Sequence, residues 1–306
     1  MLSLNYTVPR PGGDAWLGYA VFSDSVIEPL GAANVVGKGL TLGVRRIFQL
    51  PGSGSFNHSV VAGADYKDLK ERINAGDSSL SSPLRYAPMK LDYNATHSSE
   101  RGTTSIGLGV VLNLRGVSRR ELDCFDTGNV DQFACKREGA DGSFALGSLD
   151  LSHTHTPLPD VLGKWQAQWR LSAQFTNQPL EGSEQFSIGG ASTVRGYFES
   201  EAVGDLGAHV GLELRSPNWR NHVVSDEGAG WVDDLGVQLF LEGGQVRTIN
   251  AGQAQDRSTL AGAGMGLRLK ALRRLSAQID VAWPLKGTDA TRQYAPRAHA
   301  RLGMEF

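Results

Sequence analysis

Arg195 makes the clearest chemical demand in this sequence, as the one charge in the stretch Phe186–Tyr197, which reads FSIGGASTVRGY. Gly189, Gly190 and Gly196 permit tight, positive-φ backbone, and Val194 and Tyr197 set apolar and aromatic anchors beside the guanidinium. Such a segment suits a loop folded back into a cavity, where the guanidinium must meet a carboxylate. From these residues alone, a long hairpin loop with a surface arginine remains an equal alternative. A carboxylate stands in the run Phe240-Leu-Glu242-Gly-Gly244, where a period of two puts Phe240, Glu242 and Gly244 on one face and Leu239 and Leu241 on the other. Glu213 and Arg215 lie on the polar face of the preceding strand.

Catalytic and metal chemistry finds less support. His153 and His155 share a strand face, but no third ligand stands nearby in the sequence. Gly262, Gly264 and Gly266 alternate with Ala263, Met265 and Leu267 and lack the spacing and following helix of a dinucleotide site. They read as small residues on a strand face that make room for an inserted segment. No nucleophile-elbow, zincin or phosphate-loop motif is present, and no metal or cofactor is expected. Cys124 and Cys135, with ten residues between them in a polar stretch, fit one loop disulfide in an oxidising compartment or two free surface thiols.

These residues need strands to position them, and strands dominate the chain. At 306 residues it can hold one large all-β domain or two ordinary ones. It carries 38 Gly and 12 Pro, is 20% charged and has a mean hydropathy of −0.25. No run approaches the roughly 18 apolar residues of a membrane helix, so helical spanning is excluded. A transmembrane barrel gives that average because outward apolar and inward polar residues cancel, and so does a soluble sandwich. A net charge of −2, with no block of like charges, gives no reason to expect nucleic acid. The opening MLSLNYTV lacks the features of a secretory signal, which leaves a cytosolic chain or one whose true N-terminus is missing.

Alternation predicts about 13 strands, near 2–8, 15–25, 36–50, 56–70, 87–98, 103–115, 143–155, 165–176, 206–217, 235–246, 258–270, 272–283 and 297–306. Most reach the roughly 9–11 residues of a tilted membrane strand, against about 5–6 in soluble sheets. Short connections, as at 9–14 and 271, alternate with long ones, as at 116–142 and 177–205. The expected fold is therefore all-β, a transmembrane antiparallel β-barrel.

The stretch EQFSIGGASTVRGYFESEAVGD, followed by LELRSPNW, resembles the outer-membrane assembly and secretion superfamily, and within it the two-partner secretion translocators of the haemolysin activation/secretion type. The resemblance implies a 16-strand barrel behind two periplasmic polypeptide-transport-associated domains, with the motif loop joining strands 11 and 12 and folded into the lumen. Five predicted strands follow that loop here and about eight precede it. The chain thus reads as the C-terminal translocator barrel over 1–306, lacking its first strands and the periplasmic domains. The resemblance assigns Val194, Arg195, Gly196 and Tyr197 to the loop motif and Phe240, Glu242 and Gly244 to the lumenal strand signature, with Glu242 receiving Arg195 and Glu213 able to extend the network. It also implies that Phe306 closes a recognition strand for the barrel-assembly machinery. The implied location is the outer membrane of a Gram-negative bacterium, in contact with its lipid. The implied partner is a large secreted exoprotein with an N-terminal secretion domain, and an insertase of the same superfamily or a passive porin is the alternative.

Overall fold

A computed structural model describes residues 2–27, 33–75, 78–124, 129–155, 165–219, 231–250 and 256–305. In chain order the strands are β1 (Leu2–Pro9), β2 (Ala15–Ile27), β3 (Ala33–Gln49), β4 (Phe56–Ala75), β5 (Ser78–Tyr86), β6 (Met89–Ser99), β7 (Gly102–Asn113), β8 (Glu121–Asp123), β9 (Asn129–Asp131), β10 (Phe144–His155), β11 (Gln166–Thr176), β12 (Phe186–Ile188), β13 (Ala202–Gly204), β14 (Leu206–Arg215), β15 (Val232–Arg247), β16 (Arg257–Ala271), β17 (Leu275–Pro284) and β18 (Arg297–Met304). Two short helices, α1 (Arg115–Ser118) and α2 (Gln132–Lys136), lie between β7 and β10. The main sheet has 14 strands in the order β1-β2-β3-β4-β6-β7-β10-β11-β14-β15-β16-β17-β18, with β5 on β4 off that path.

The 13 strands on that path are the 13 that alternation predicts, shifted by a few residues at their ends. Strand β5 is the addition, pairing from Lys67↔Tyr86 to Ala75↔Ser78. Its sequence, SSLSSPLRY, carries serines and a proline that signal a turn, and Pro83 is tolerated because β5 pairs only with β4. The two long connections also hold structure of their own, the β8–β9 and β12–β13 hairpins and both helices. Phe306 lies outside the described residues.

The chain forms two compact units. One comprises residues 1–95, 107–148 and 175–185. On its inner strand faces Arg45 donates to Asp65 at 2.8 Å and to the Tyr19 hydroxyl at 3.0 Å, whereas Leu42, Val44 and Tyr66 on the other face are exposed. Its core is apolar: Leu84, Tyr86, Phe133, Ala140, Phe144, Leu146 and Leu180. Helix α2 is capped by Asp131, which accepts from the Phe133 amide, and the Gln132 amide bonds both backbone groups of Arg85. The other unit comprises residues 96–106, 149–174 and 186–306. There β14 to β18 pair antiparallel, with one register shift between Val232 and Asp234 on β15, and with Glu213 opposite Phe240, Glu242 opposite Gly262, and Asp280 opposite His299.

Burial along these strands is the reverse of a water-soluble protein. Val210, Leu212, Leu239, Leu241, Met265, Leu267 and Ile279 are exposed, while their alternates His209, Glu213, Gln238, Glu242 and Asp280 are buried. An exposed apolar row along β14 to β17 is what lipid stabilises and water does not.

Candidate functional site

The loop between β11 and β14 makes a short hairpin, Phe186↔Gly204 to Ile188↔Ala202, and the VRGY residues lie in the turn beyond it. Gly189, Gly190 and Gly196 take φ of +109°, +94° and +101°, which favour glycine. The Thr193 hydroxyl donates to the Gly189 carbonyl at 2.9 Å and accepts from its amide at 2.8 Å. His209 on β14 bonds the Thr193 carbonyl at 2.9 Å. Val194 and Tyr197 are fully buried among Ile188, Ala202, Val246 and Leu260. The Tyr197 hydroxyl lies 2.9 Å from the Ala261 carbonyl and 2.7 Å from that of Lys286. Burial pushes its pKa up, so it stays a neutral donor.

Between those anchors Arg195 turns into the strand wall, 2% exposed. Its Nε donates to Glu242 at 3.0 Å, one terminal nitrogen reaches Glu242 at 2.5 Å and Glu213 at 2.9 Å, and the other reaches Asp280 at 3.0 Å. Its backbone amide also donates to Glu242, at 2.8 Å. The guanidinium carbon lies 3.4 Å from the Phe240 ring centroid, a cation over an aromatic face. One arginine thus meets carboxylates from β14, β15 and β17, using the fork of donors that lysine lacks. Arg215 donates to Glu213 at 2.6 Å and Arg170 stands 3.9 Å from Glu242, so three arginines and three carboxylates balance. Burial opposes the charge on Arg195, but its bonds to Glu242 and Glu213 outweigh that and hold its pKa above the ordinary guanidinium value.

Glycines make the room. Glu242 lies between Gly211 and Gly262, and Phe240 lies opposite Gly264. A Cβ on Gly262 would overlap the Arg195 carbonyl oxygen, and one on Gly264 would overlap the Phe240 ring. Of Gly262, Gly264 and Gly266, Gly262 is the one set directly against the loop. Gly244 makes space for the hairpin, since a Cβ there would lie 3.2 Å from Ile188.

The structure brings together Arg195, Phe240, Glu242 and Glu213, and places Val194, Gly196, Tyr197 and Gly244 around them. Asp280 and Gln238 are residues that sequence reasoning did not single out. Asp280 accepts from the Gln238 side chain at 2.6 Å and from Gln278 at 2.7 Å. Gly266 was the available signal: it pairs with both Gln238 and Asp280, and a Cβ on it would overlap the Asp280 carboxylate. Cys124 and Cys135 are joined by a disulfide, with Cα atoms 5.8 Å apart. The rings of His153 and His155 lie 5.9 Å apart, and His153 packs on Trp169 and bonds Thr104.

The sequence pattern of the haemolysin secretion/activation proteins ShlB/FhaC/HecB matches residues 42–269. The chain belongs to this family. The outer membrane transporter CdiB of Dickeya dadantii (strain 3937) is 32% identical over 118 residues, which are 38% of this chain and 19% of the relative. The structure of CdiB from Escherichia coli superposes with a TM-score of 0.75 at 19% identity, over 99% of this chain and 52% of that one. BamA from Haemophilus ducreyi lacking POTRA domains 1-3 superposes at 0.66 with 15% identity, over 98% and 61%. The fold is thus that of the CdiB and BamA transmembrane β-barrels, and its place is the Gram-negative outer membrane. The chain spans about half the length of the Escherichia coli CdiB structure and about a fifth of the Dickeya dadantii transporter.

Proposed function

We propose that this chain forms the transport barrel of a two-partner secretion translocator, which carries one large β-helical exoprotein, a haemolysin or adhesin, across the outer membrane. The partner would present an N-terminal secretion domain, read by periplasmic domains of the kind the family resemblance implies. No side-chain chemistry is required. The periplasm lacks ATP, so folding of the partner outside would draw the chain through.

The observation that carries this reading is the grip of three strands on Arg195. A loop tethered by one multidentate cation is held in a single geometry, yet it can be released by rearranging hydrogen bonds without unpairing any strand. The loop and its partners would therefore tune the conformation of the pore, with Arg195 and Glu242 as the central pair. On this reading the protein reaches the membrane through the barrel-assembly machinery.

The test is export of the exoprotein encoded beside the gene, measured in the culture medium. Arg195→Ala and Glu242→Ala should each lower export while the heat-modifiable barrel still accumulates in the outer membrane. The double variant should be no worse than either single, because both remove the same interaction. Normal export by all three variants would sink the proposal. Loss of other barrels from the membrane in place of loss of the exoprotein would point to an insertase, and passive conductance indifferent to the substitutions would point to a porin.

A further inference from the structure

The loop is also held by the last strand. Arg195 and Gly196, consecutive in the loop, reach Asp280 on β17 and His299 on β18, and those two residues are direct cross-strand partners. The Gly196 amide donates to His299 Nε2 at 3.0 Å. Two residues along each chain, the Arg297 guanidinium covers the Phe198 ring, 3.6 Å from its centroid. Residues 196 and 198 of the loop thus match 299 and 297 of the strand in antiparallel order. The approach is close: a Cβ on Gly196 would lie 3.0 Å from the Pro284 nitrogen and 3.3 Å from the Trp283 carbonyl carbon. Gly196 is itself buried, so its N–H needs an acceptor, and the imidazole supplies it.

We propose that His299 is a positioning residue for the loop. Its Nε2 lone pair holds the Gly196 amide and, with Arg297 over Phe198, makes the loop and the β17–β18 hairpin move as one body. This deepens the translocator reading, since a loop that governs the pore would then act through the C-terminal strand. The role depends on an acceptor at that nitrogen. An imidazolium donates from both nitrogens and cannot fill it. The charged groups facing the ring are Asp280 on β17, Arg195 and Glu199 in the loop and Arg297 on its own strand.

Spin labels on Ser192→Cys in the loop and Leu302→Cys on β18, both exposed positions, report the separation in the full chain in lipid vesicles. Cys124 and Cys135 are bonded to each other and do not take the label. At about pH 8 the unsubstituted pair should give one narrow distance distribution, and His299→Leu should release the loop by about threefold to tenfold. His299→Gln, which keeps an acceptor, should hold the narrow distribution at about pH 8 and at about pH 5, whereas the histidine form should broaden at the lower pH. Where His299→Leu does not fold, the glutamine variant decides the matter alone. A narrow distribution in His299→Leu, or broadening in His299→Gln at high pH, would overturn the proposal. The readout needs no exoprotein, so it can fail while export stands.

Discussion

Two in-folded segments of this molecule are held by opposite means. In the first unit the segment around α2 and residues 180–184 is seated by an apolar core and a disulfide: Phe133 and Phe144 pack edge-on against Tyr86, 5.5 and 6.4 Å away, with Leu180 fully buried beside them. In the second unit the VRGY turn has apolar anchors in Val194 and Tyr197, but Arg195 between them is seated by charge, on three carboxylates. Apolar packing tolerates small displacements, because its energy follows area and has no direction. A buried fork of hydrogen bonds has one good geometry, and its loss strands whatever remains. The first segment therefore resembles a fixed part and the second a part with a small number of discrete positions.

The largest expected effect tests the charged side of this contrast. Arg195→Ala leaves Glu213, Glu242 and Asp280 buried without their shared cation, which costs about 3–5 kcal/mol in the second unit. Arg195→Lys should recover little, because one ammonium cannot reproduce the bidentate grip on Glu242 together with the contacts to Glu213 and Asp280. Urea unfolding in vesicles measures both variants. A loss under about 1 kcal/mol for Arg195→Ala would mean that water reaches the cluster and the contrast is false.

The next effect tests the apolar side. Cys124→Ser with Cys135→Ser opens a loop with a sequence separation of 11, worth roughly 2–3 kcal/mol at most. Because Phe133 and Tyr86 still pack, amides of α2 should exchange faster while those of residues 194–197 stay protected. Equal loosening of both segments would show that they are not independent.

The fold was legible because alternation survives along whole strands, and the 13 predicted strands are those of the main sheet path. Strand β5 was hidden because Ser and Pro signal turns, and its pairing with a long β4 is information held elsewhere in the chain. The site was legible where one strand decides the matter, since the parity of Phe240 and Glu242 needs only local sequence. Asp280 and Gln238 were not, since their meeting across Gly266 depends on the registers of β15, β16 and β17. His299 was hidden for the same reason: nothing in β18 marks it apart from Arg297 and Arg301 on the same face.

The smallest effect concerns the polar margin of the apolar segment, where the two means of holding meet. The Tyr86 hydroxyl lies 2.8 Å from Glu181, 2.6 Å from Glu184 and 3.0 Å from Ser183, and Lys67 reaches Glu184 at 2.5 Å. Tyr86→Phe removes one proton donor while leaving the ring against Phe133 and the lysine on Glu184. The loss is then that of one hydrogen bond to a charged group, about 1.5–3 kcal/mol and below the effect of Arg195→Ala. Adding Lys67→Met should exceed the sum of the two single changes, because Glu184 would lose both of these partners at once. A double-mutant cycle read by urea unfolding distinguishes the cases. Strict additivity would mean that Tyr86 and Lys67 hold the 181–184 turn separately, and that packing alone sets this segment. A coupling as large as that of Arg195 with Glu242 would mean that both segments are governed by charge.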